Sequence, residues 1–186
     1  MEQIKELTKR LIANSFKELM LKYPFEKITI KTITDNANII RPTFYNHFHD
    51  KYELVEWILK TEIIDEVTRE LVNNSSRSAI QTLFDKFLVD KDYYKKAFEI
   101  GGQNGFSDVL VNLLTDMFVS VISEDLMKEH SCLEKEVVAR YYATGAVAVL
   151  RYEVFRTDAG ELAEICDAYR YLMQHTIFDF VPPRKG

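Results

Sequence analysis

The residues with the most useful chemistry lie between positions 29 and 51. Arg41, Thr43, Tyr45, His47 and Lys51 place hydrogen-bond donors at short intervals there. The guanidinium fork of Arg41 matches the two acceptors on a guanine edge, and Pro42 and Thr43 offer apolar contact suited to a thymine methyl. Tyr45, His47 and Lys51 are suited to phosphate oxygens. The chemistry on offer is recognition rather than bond making. Elsewhere the chain has no His-Glu-x-x-His, Gly-x-Ser-x-Gly, Gly-x-Gly-x-x-Gly or phosphate-loop pattern. Its four histidines, at 47, 49, 130 and 175, lack metal-ligand spacing. Glu134, Glu136 and Asp158 have no evident acid or base partners. No enzymatic activity, metal or cofactor is expected.

Short helices must position these donors. No glycine precedes Gly101, and prolines stand only at 24, 42, 182 and 183. So few turn residues favour helices joined by polar turns over strands. Ile4, Leu7, Leu11, Ile12, Phe16, Leu19, Met20 and Tyr23 recur at steps of three and four, predicting an amphipathic helix that ends near Pro24. Thr29 is placed to cap a short helix to Ala37. Asn38 suits a left-handed turn, and a second short piece runs from Arg41 to Phe48. Two short helices across a three-residue turn, Asn38-Ile39-Ile40, have the helix-turn-helix layout. Ile33, Ala37, Ile39, Phe44 and Phe48 supply the apolar groups that pack the pair on the first helix. Beyond it, a long helix is predicted over 51–73, opened by Asp50, then helices near 78–89, 92–100, 107–129, 133–156 and 160–180. The fold class is all-α, with a DNA-reading head over residues 1–50 and a helical body over 51–186.

Charge is compatible with this division. The net charge is −5, but residues 1–60 carry ten Lys/Arg against eight Asp/Glu, and the other 126 carry 14 against 21. The distribution matters more than the sum for a DNA-binding surface. No apolar run approaches the length of a membrane helix. The charged N-terminus lacks a signal-peptide core. Cys132 and Cys166 have no paired spacing and read as free thiols. A cytoplasmic protein is expected.

The run Thr43-Phe-Tyr-Asn-His-Phe-His-Asp-Lys51, preceded by Ile30-Lys-Thr-Ile-Thr-Asp-Asn-Ala-Asn-Ile-Ile-Arg-Pro42, closely resembles the signature of TetR-family transcription regulators. Heads in that family end in Thr-Phe/Leu-Tyr-x-His/Tyr-Phe followed by a lysine that opens the fourth helix. The resemblance is specific over residues 5 to about 60 and architectural beyond. It implies Lys31 and Arg41 near bases, Pro42 against thymine methyls, and Thr43, Tyr45, His47 and Lys51 on phosphates. Thr29 and Asn46 complete the candidate DNA-binding set. There are two departures: Asn38 replaces the usual turn glycine, and Ile40 replaces the usual polar cap of the recognition helix. The segment Tyr93-Tyr-Lys-Lys-Ala-Phe-Glu-Ile-Gly-Gly-Gln-Asn-Gly-Phe106 is similar to one in short regulators of dihydroxyacetone-kinase operons, where a partner protein can carry the signal.

The body suggests a twofold homodimer. Val138, Tyr141, Tyr142, Gly145, Ala146, Val149 and Tyr152 form one helical stripe. Leu162, Ile165, Cys166, Tyr169, Leu172, Met173, Thr176, Ile177 and Phe180 form another. Within them, Tyr142, Gly145, Ala146, Val149, Ile165, Tyr169, Leu172, Met173 and Thr176 are the candidate interface, and the resemblance implies a four-helix bundle between two copies. The alternative is that both stripes complete the chain's own core. Twofold symmetry is also what a palindromic operator on double-stranded DNA demands. The aromatic-rich middle reads either as core or as the lining of an effector cavity. Trp57, Phe98, Gln103, Asn104, Phe118 and Tyr142 are the candidate ligand residues, with Arg140 or Arg151 as further polar anchors. The functional expectation is a repressor released by an effector. An activator, or a regulator controlled by a partner protein, is the alternative, and a helical interaction protein without DNA binding is the reading from another class.

Overall fold

The computed structural model describes residues 2–73, 76–102, 105–128, 133–157 and 161–180, and among them there is no strand. The head opens with α1 (Glu2–Lys22), followed by a single 3-10 turn (Phe25–Lys27) after Pro24. Next come α2 (Ile30–Asn36) and α3 (Arg41–Tyr45). Burial on α1 begins at Ile12 and continues through Ala13, Phe16, Leu19 and Met20. Ile4 and Leu7, counted in the predicted apolar stripe, are exposed on its first turns.

The predicted long helix is continuous but not uniform. It runs as α4 (Lys51–Leu59), a π turn (Lys60–Ile64) and α5 (Asp65–Val72). Sequence gives a reason for the π turn. Val55, Leu59, Ile63 and Val67 are all buried and lie four apart. An α-helix turns about 100° per residue, so each four-residue step drifts by about 40°. A π turn accommodates one extra residue and returns the stripe to the core.

The rest of the body comprises α6 (Ser76–Val89), α7 (Lys91–Ala97), α8 (Phe106–Val121), α9 (Glu124–Lys128), α10 (Lys135–Phe155) and α11 (Leu162–Gln174). α8 lies along α10, α6 packs on α5 and α11, and α1 packs on α2 and α7. Two predicted helices are shorter than expected. The one over 107–129 breaks where Ile122 turns extended, leaving α9 as a separate turn. The one over 160–180 stops at Gln174, where His175 is extended. Thr176 N–H then donates to the Asp179 carboxylate at 2.7 Å, starting a separate 3-10 turn (Ile177–Phe180).

Between α7 and α8 the backbone doubles back. Gly102 has φ +91, a conformation open chiefly to glycine. A Cβ on Gly105 would come within 3.2 Å of the Gly102 and Ile100 carbonyl oxygens. Gly102 is thus favoured by its backbone angle, and a side chain at Gly105 would force the two carbonyls to give by a few tenths of an ångström. Gln103 and Asn104, the polar ligand candidates, lie outside the described residues.

One continuous apolar cluster runs from Ile12, Phe16, Phe44 and Phe48 in the head to Phe84, Phe87, Phe98 and Leu114 in the body. In its centre Phe87 meets Tyr94 at 4.2 Å between ring centroids, and Phe98 meets Phe106 edge-on at 4.8 Å. The aromatic middle therefore packs largely on itself. Within the head, the buried Ser15 hydroxyl donates to the Ile33 carbonyl at 2.8 Å and accepts from the Asn36 amide at 3.1 Å. Ser15→Ala removes both bonds, but the Ile33 carbonyl keeps the Ala37 N–H and the Asn36 amide keeps Glu18, so the loss is that of ordinary hydrogen bonds, about 0.5–1.5 kcal/mol each. Urea denaturation of the variant is expected to register a loss of that size. No change would mean that water replaces the hydroxyl.

Candidate nucleic-acid interface

Each end of the helix pair is built locally. Thr29 caps α2 reciprocally: its hydroxyl accepts from Thr32 N–H at 3.2 Å, and the Thr32 hydroxyl accepts from Thr29 N–H at 3.0 Å. Asn38 has φ +53, the left-handed conformation expected of it. Ile40 precedes α3 with no side-chain cap, and Pro42 in the first turn removes one amide that would have needed one. Phe44 is fully buried and Phe48 nearly so. Their rings meet at 5.7 Å, and Phe48 reaches Trp57 of α4 at 5.7 Å.

With Phe44 and Phe48 facing inward, the side chains around them face outward or lie half-buried. Arg41, Pro42, Tyr45 and Asn46 are exposed, and Thr43 and His47 are half-buried. Tyr45 is 58% exposed, with its ring edge-on to Phe44. The outward set thus offers a guanidinium, a phenol, an amide and an imidazole on one short stretch. On α2, Lys31 pairs with Asp35 at 2.9 Å, both well exposed. Such a surface pair is weak enough to open for another partner.

Lys51 departs from expectation. Its ammonium donates to the carbonyls of Phe25 at 2.7 Å and Ile28 at 3.0 Å, and lies 4.0 Å from the centroid of the Phe25 ring. Burial lowers its pKa, with Glu26 acting in the opposite sense. The residue that opens α4 therefore ties the 3-10 turn to the long helix. Its amine does not project outward with Tyr45. Sequence reasoning also missed Lys5 and Lys9. The Lys9 ammonium sits 5.8 Å from the Phe48 ring and 5.7 Å from Trp57. Partial burial lowers the His47 pKa, and the charges of Lys9 and Lys5 lower it further. These cations thus lie at the edge of the outward face, and their four-residue spacing on α1 was the available signal.

The ligand candidates do not converge. Trp57 lines a cavity of about 540 Å³ between α1 and the body, together with Arg10, Asn14, Glu62, Asp90 and Tyr94. Phe98 is buried in the core, Phe118 packs against it, and Tyr142 is exposed beside Tyr141. Arg140 donates to the Asn112 side chain at 3.2 Å, whereas Arg151 lies over Phe98 and Phe155. The interface candidates divide too. Tyr142, Gly145, Leu172, Met173 and Thr176 are exposed, and Val149 is half-buried. Ala146, Ile165 and Tyr169 are buried in the chain's own core, with Tyr169 against Phe84. For these three, the core reading of the stripes applies. Among the described residues no group of three His, Cys, Asp or Glu could hold a metal, and no helix is long and apolar enough to cross a membrane.

An all-helical body carrying a three-helix head with a helix-turn-helix is an architecture used by DNA-binding transcription regulators. Comparison with known proteins points the same way. A family model describing the C-terminal region of TetR-type transcriptional regulators matches residues 74–152. The dhaKLM operon transcriptional activator DhaS of Lactococcus lactis subsp. lactis is 28% identical over 163 residues, covering 83% of each chain. A solved structure of a dihydroxyacetone kinase operon activator DhaS superposes with a TM-score of 0.60 at 22% identity, over 90% of this chain and 94% of that one. The Thermus thermophilus TetR-family repressor FadR, solved with lauroyl-CoA, superposes at 0.62 with 19% identity, over 96% and 99%. The chain is thus similar to TetR-type regulators in the sequence of its C-terminal region and in its fold. These likenesses support DNA-binding transcription regulation and not an enzymatic role, and regulators of the TetR family bind DNA and dimerise.

The Lys51 geometry generates a test. Lys51→Met removes the ammonium from two carbonyls, so stability is expected to fall by about 1–3 kcal/mol. The salt dependence of DNA binding is expected to stay the same. A salt slope reduced by about one, with stability unchanged, would instead place the amine on a phosphate.

Proposed function

We propose that residues 1–50 read a palindromic operator as one half of a twofold dimer, and that residues 51–186 hold the dimer together and receive the signal. The observation that carries this reading is the outward set Arg41, Pro42, Tyr45 and Asn46, held in place by buried Phe44 and Phe48. Arg41 reads a base, with Lys31 beside it once freed from Asp35. Tyr45 and His47 donate to phosphates, joined by Lys5 and Lys9. In the chain without DNA, burial, Lys9 and Lys5 favour the neutral His47 imidazole, whereas a phosphate beside it would favour the charged form.

The sign of regulation follows from where the operator lies. Occupancy over a promoter represses, and this is the first reading. The likeness to DhaS, an activator, favours the second reading, in which a bound dimer recruits or is helped by another protein. A promoter reporter in cells with and without the gene separates the two. For the effector we propose a small molecule or a partner protein acting on the body.

Selection of bound sequences from a random DNA pool tests operator reading directly, and an inverted repeat is expected. Arg41→Ala is then expected to relax preference at one base pair per half-site, costing roughly 1–3 kcal/mol there. An equal loss on selected and random DNA would remove Arg41 from base reading.

The dimer is proposed to form along the outer faces of α10 and α11. Val137, Tyr141, Tyr152 and Phe155 are exposed along one, and Tyr171 and Leu172 along the other. Gly145 and Ala148 lie between the α10 aromatics and allow close helix approach. A Cβ added at Gly145 meets nothing within 4 Å in its own chain. Gly145→Leu should therefore leave the monomer folded while wedging two copies apart. Sedimentation is expected to show a dimer for the native protein and a folded monomer for this variant. A native protein that stays monomeric at every concentration would sink the proposal.

A further inference from the structure

We propose that Lys17, gripped between Glu62 and Asp90, fixes the angle of the head on the body and so sets the spacing of operator half-sites that the dimer accepts. The inference rests on the operator-binding dimer proposed above. Lys17 belongs to α1, whose buried face shares the core cluster with Phe44 and Phe48. Its ammonium meets Glu62 at 2.9 Å and Asp90 at 2.5 Å, partners 45 and 73 residues away in sequence. Glu62 is the middle residue of the π turn. Asp90 is the single residue joining α6 to α7, and its carboxylate serves Lys17 instead of capping α7. One amine of the head thus engages two body elements.

The setting argues for positioning over simple stability. The Lys17 side chain is only 18% exposed, and its ammonium lies 5.0 Å from the Tyr93 ring. Burial works against a charge there, yet the two carboxylates raise the Lys17 pKa above its ordinary value. An apolar residue of similar volume often stabilises such a site as well or better, whereas an ion pair adds directionality. A π turn at the point of contact is a further local irregularity of the kind found at functional sites. The cavity of about 540 Å³ opens beside this junction, lined by Arg10 and Asn14 from α1 and by Glu62 and Asp90 themselves. The head therefore has room to tilt when the grip is lost. A tilt on the order of 10° over a lever of roughly 20 Å, about two helix diameters, moves a recognition helix by roughly 3.4 Å, one base-pair step.

The test uses the full-length protein and its selected operator, with one base pair added or removed between half-sites. The native protein is expected to lose about tenfold or more in affinity on either altered spacing, within the range for a one-position change. Lys17→Met is expected to keep affinity for the selected spacing within about threefold, but to discriminate between spacings by less than about threefold. Lys17→Arg should restore discrimination. If Lys17→Met does not fold, Glu62→Gln with Asp90→Asn is judged by the same ratio. Native-like discrimination in the folded variant, or an equal loss at every spacing, would overturn the proposal. A second readout needs no DNA: spin labels on Asn46→Cys, in a Cys132→Ser, Cys166→Ser background, report the head-to-head distance in the dimer. A distribution broadened by Lys17→Met supports the lock, and an unchanged one refutes it. Failure of the native protein to select any operator would count against the DNA reading, while the distance measurement still decides the lock.

Discussion

The burial of Phe44 and Phe48 beneath α1 is the constraint on which the DNA-reading surface depends. α3 has only five residues and no side-chain cap at Ile40. An isolated helix of that length has no stability in water, because nucleation costs more than so few hydrogen bonds return. Its conformation is imposed from the core side. Each buried phenylalanine contributes roughly 1.5–3 kcal/mol of transfer free energy, and their four-residue spacing fixes which side chains face out. Arg41, Tyr45 and Asn46 are exposed because Phe44 and Phe48 are not. Recognition chemistry and core packing are thus two faces of one stretch of chain.

The same coupling explains how an acidic protein can serve DNA. A net charge of −5 disfavours approach to a polyanion at long range, but contact is decided within about 10 Å at moderate salt. On the reading proposed above, the charges that act at that distance are Arg41, Lys5, Lys9 and Lys31. Lys51, by contrast, is turned inward onto two carbonyls. The head therefore assembles its basic surface partly from α1, which the pattern around residues 41–51 did not point to.

What was legible in the sequence is what local chemistry determines. Thr29 and Asp50 cap their helices, and Asn38 takes the left-handed turn, because each choice depends on neighbours within four residues. The all-α class followed from scarce glycine and proline together with helical periodicity, and the helix-turn-helix from two short helices across the Asn38-Ile39-Ile40 turn. Longer-range choices were not legible. Lys51 looked like a phosphate ligand because its partners, the Phe25 and Ile28 carbonyls, are backbone groups 26 and 23 residues away. The stripe on α11 is continuous in sequence, yet Ile165 and Tyr169 are buried while Leu172 and Met173 are exposed. Periodicity says that a face is apolar; it does not say which partner covers it. The aromatic middle posed the same ambiguity, and there the rings satisfy one another.

Head and body share one apolar cluster, which restricts the kinds of signal that can pass between them. A ligand can shift such an equilibrium only by its difference in affinity between the two arrangements. If the head were rigidly fused through Phe48, Trp57 and the α1–α7 contact, every tilt would have to break packing. A signal would then need to supply several kcal/mol merely to expose apolar surface. The Lys17 junction offers a less costly coordinate. Its bonds are polar and half-buried, water can replace them, and a cavity lies beside them. Motion concentrated there leaves Phe44 and Phe48 packed, so the reading surface survives while its placement changes. In the dimer proposed above, that separation of a stiff surface from a soft joint would let operator spacing change without unfolding the recognition helices.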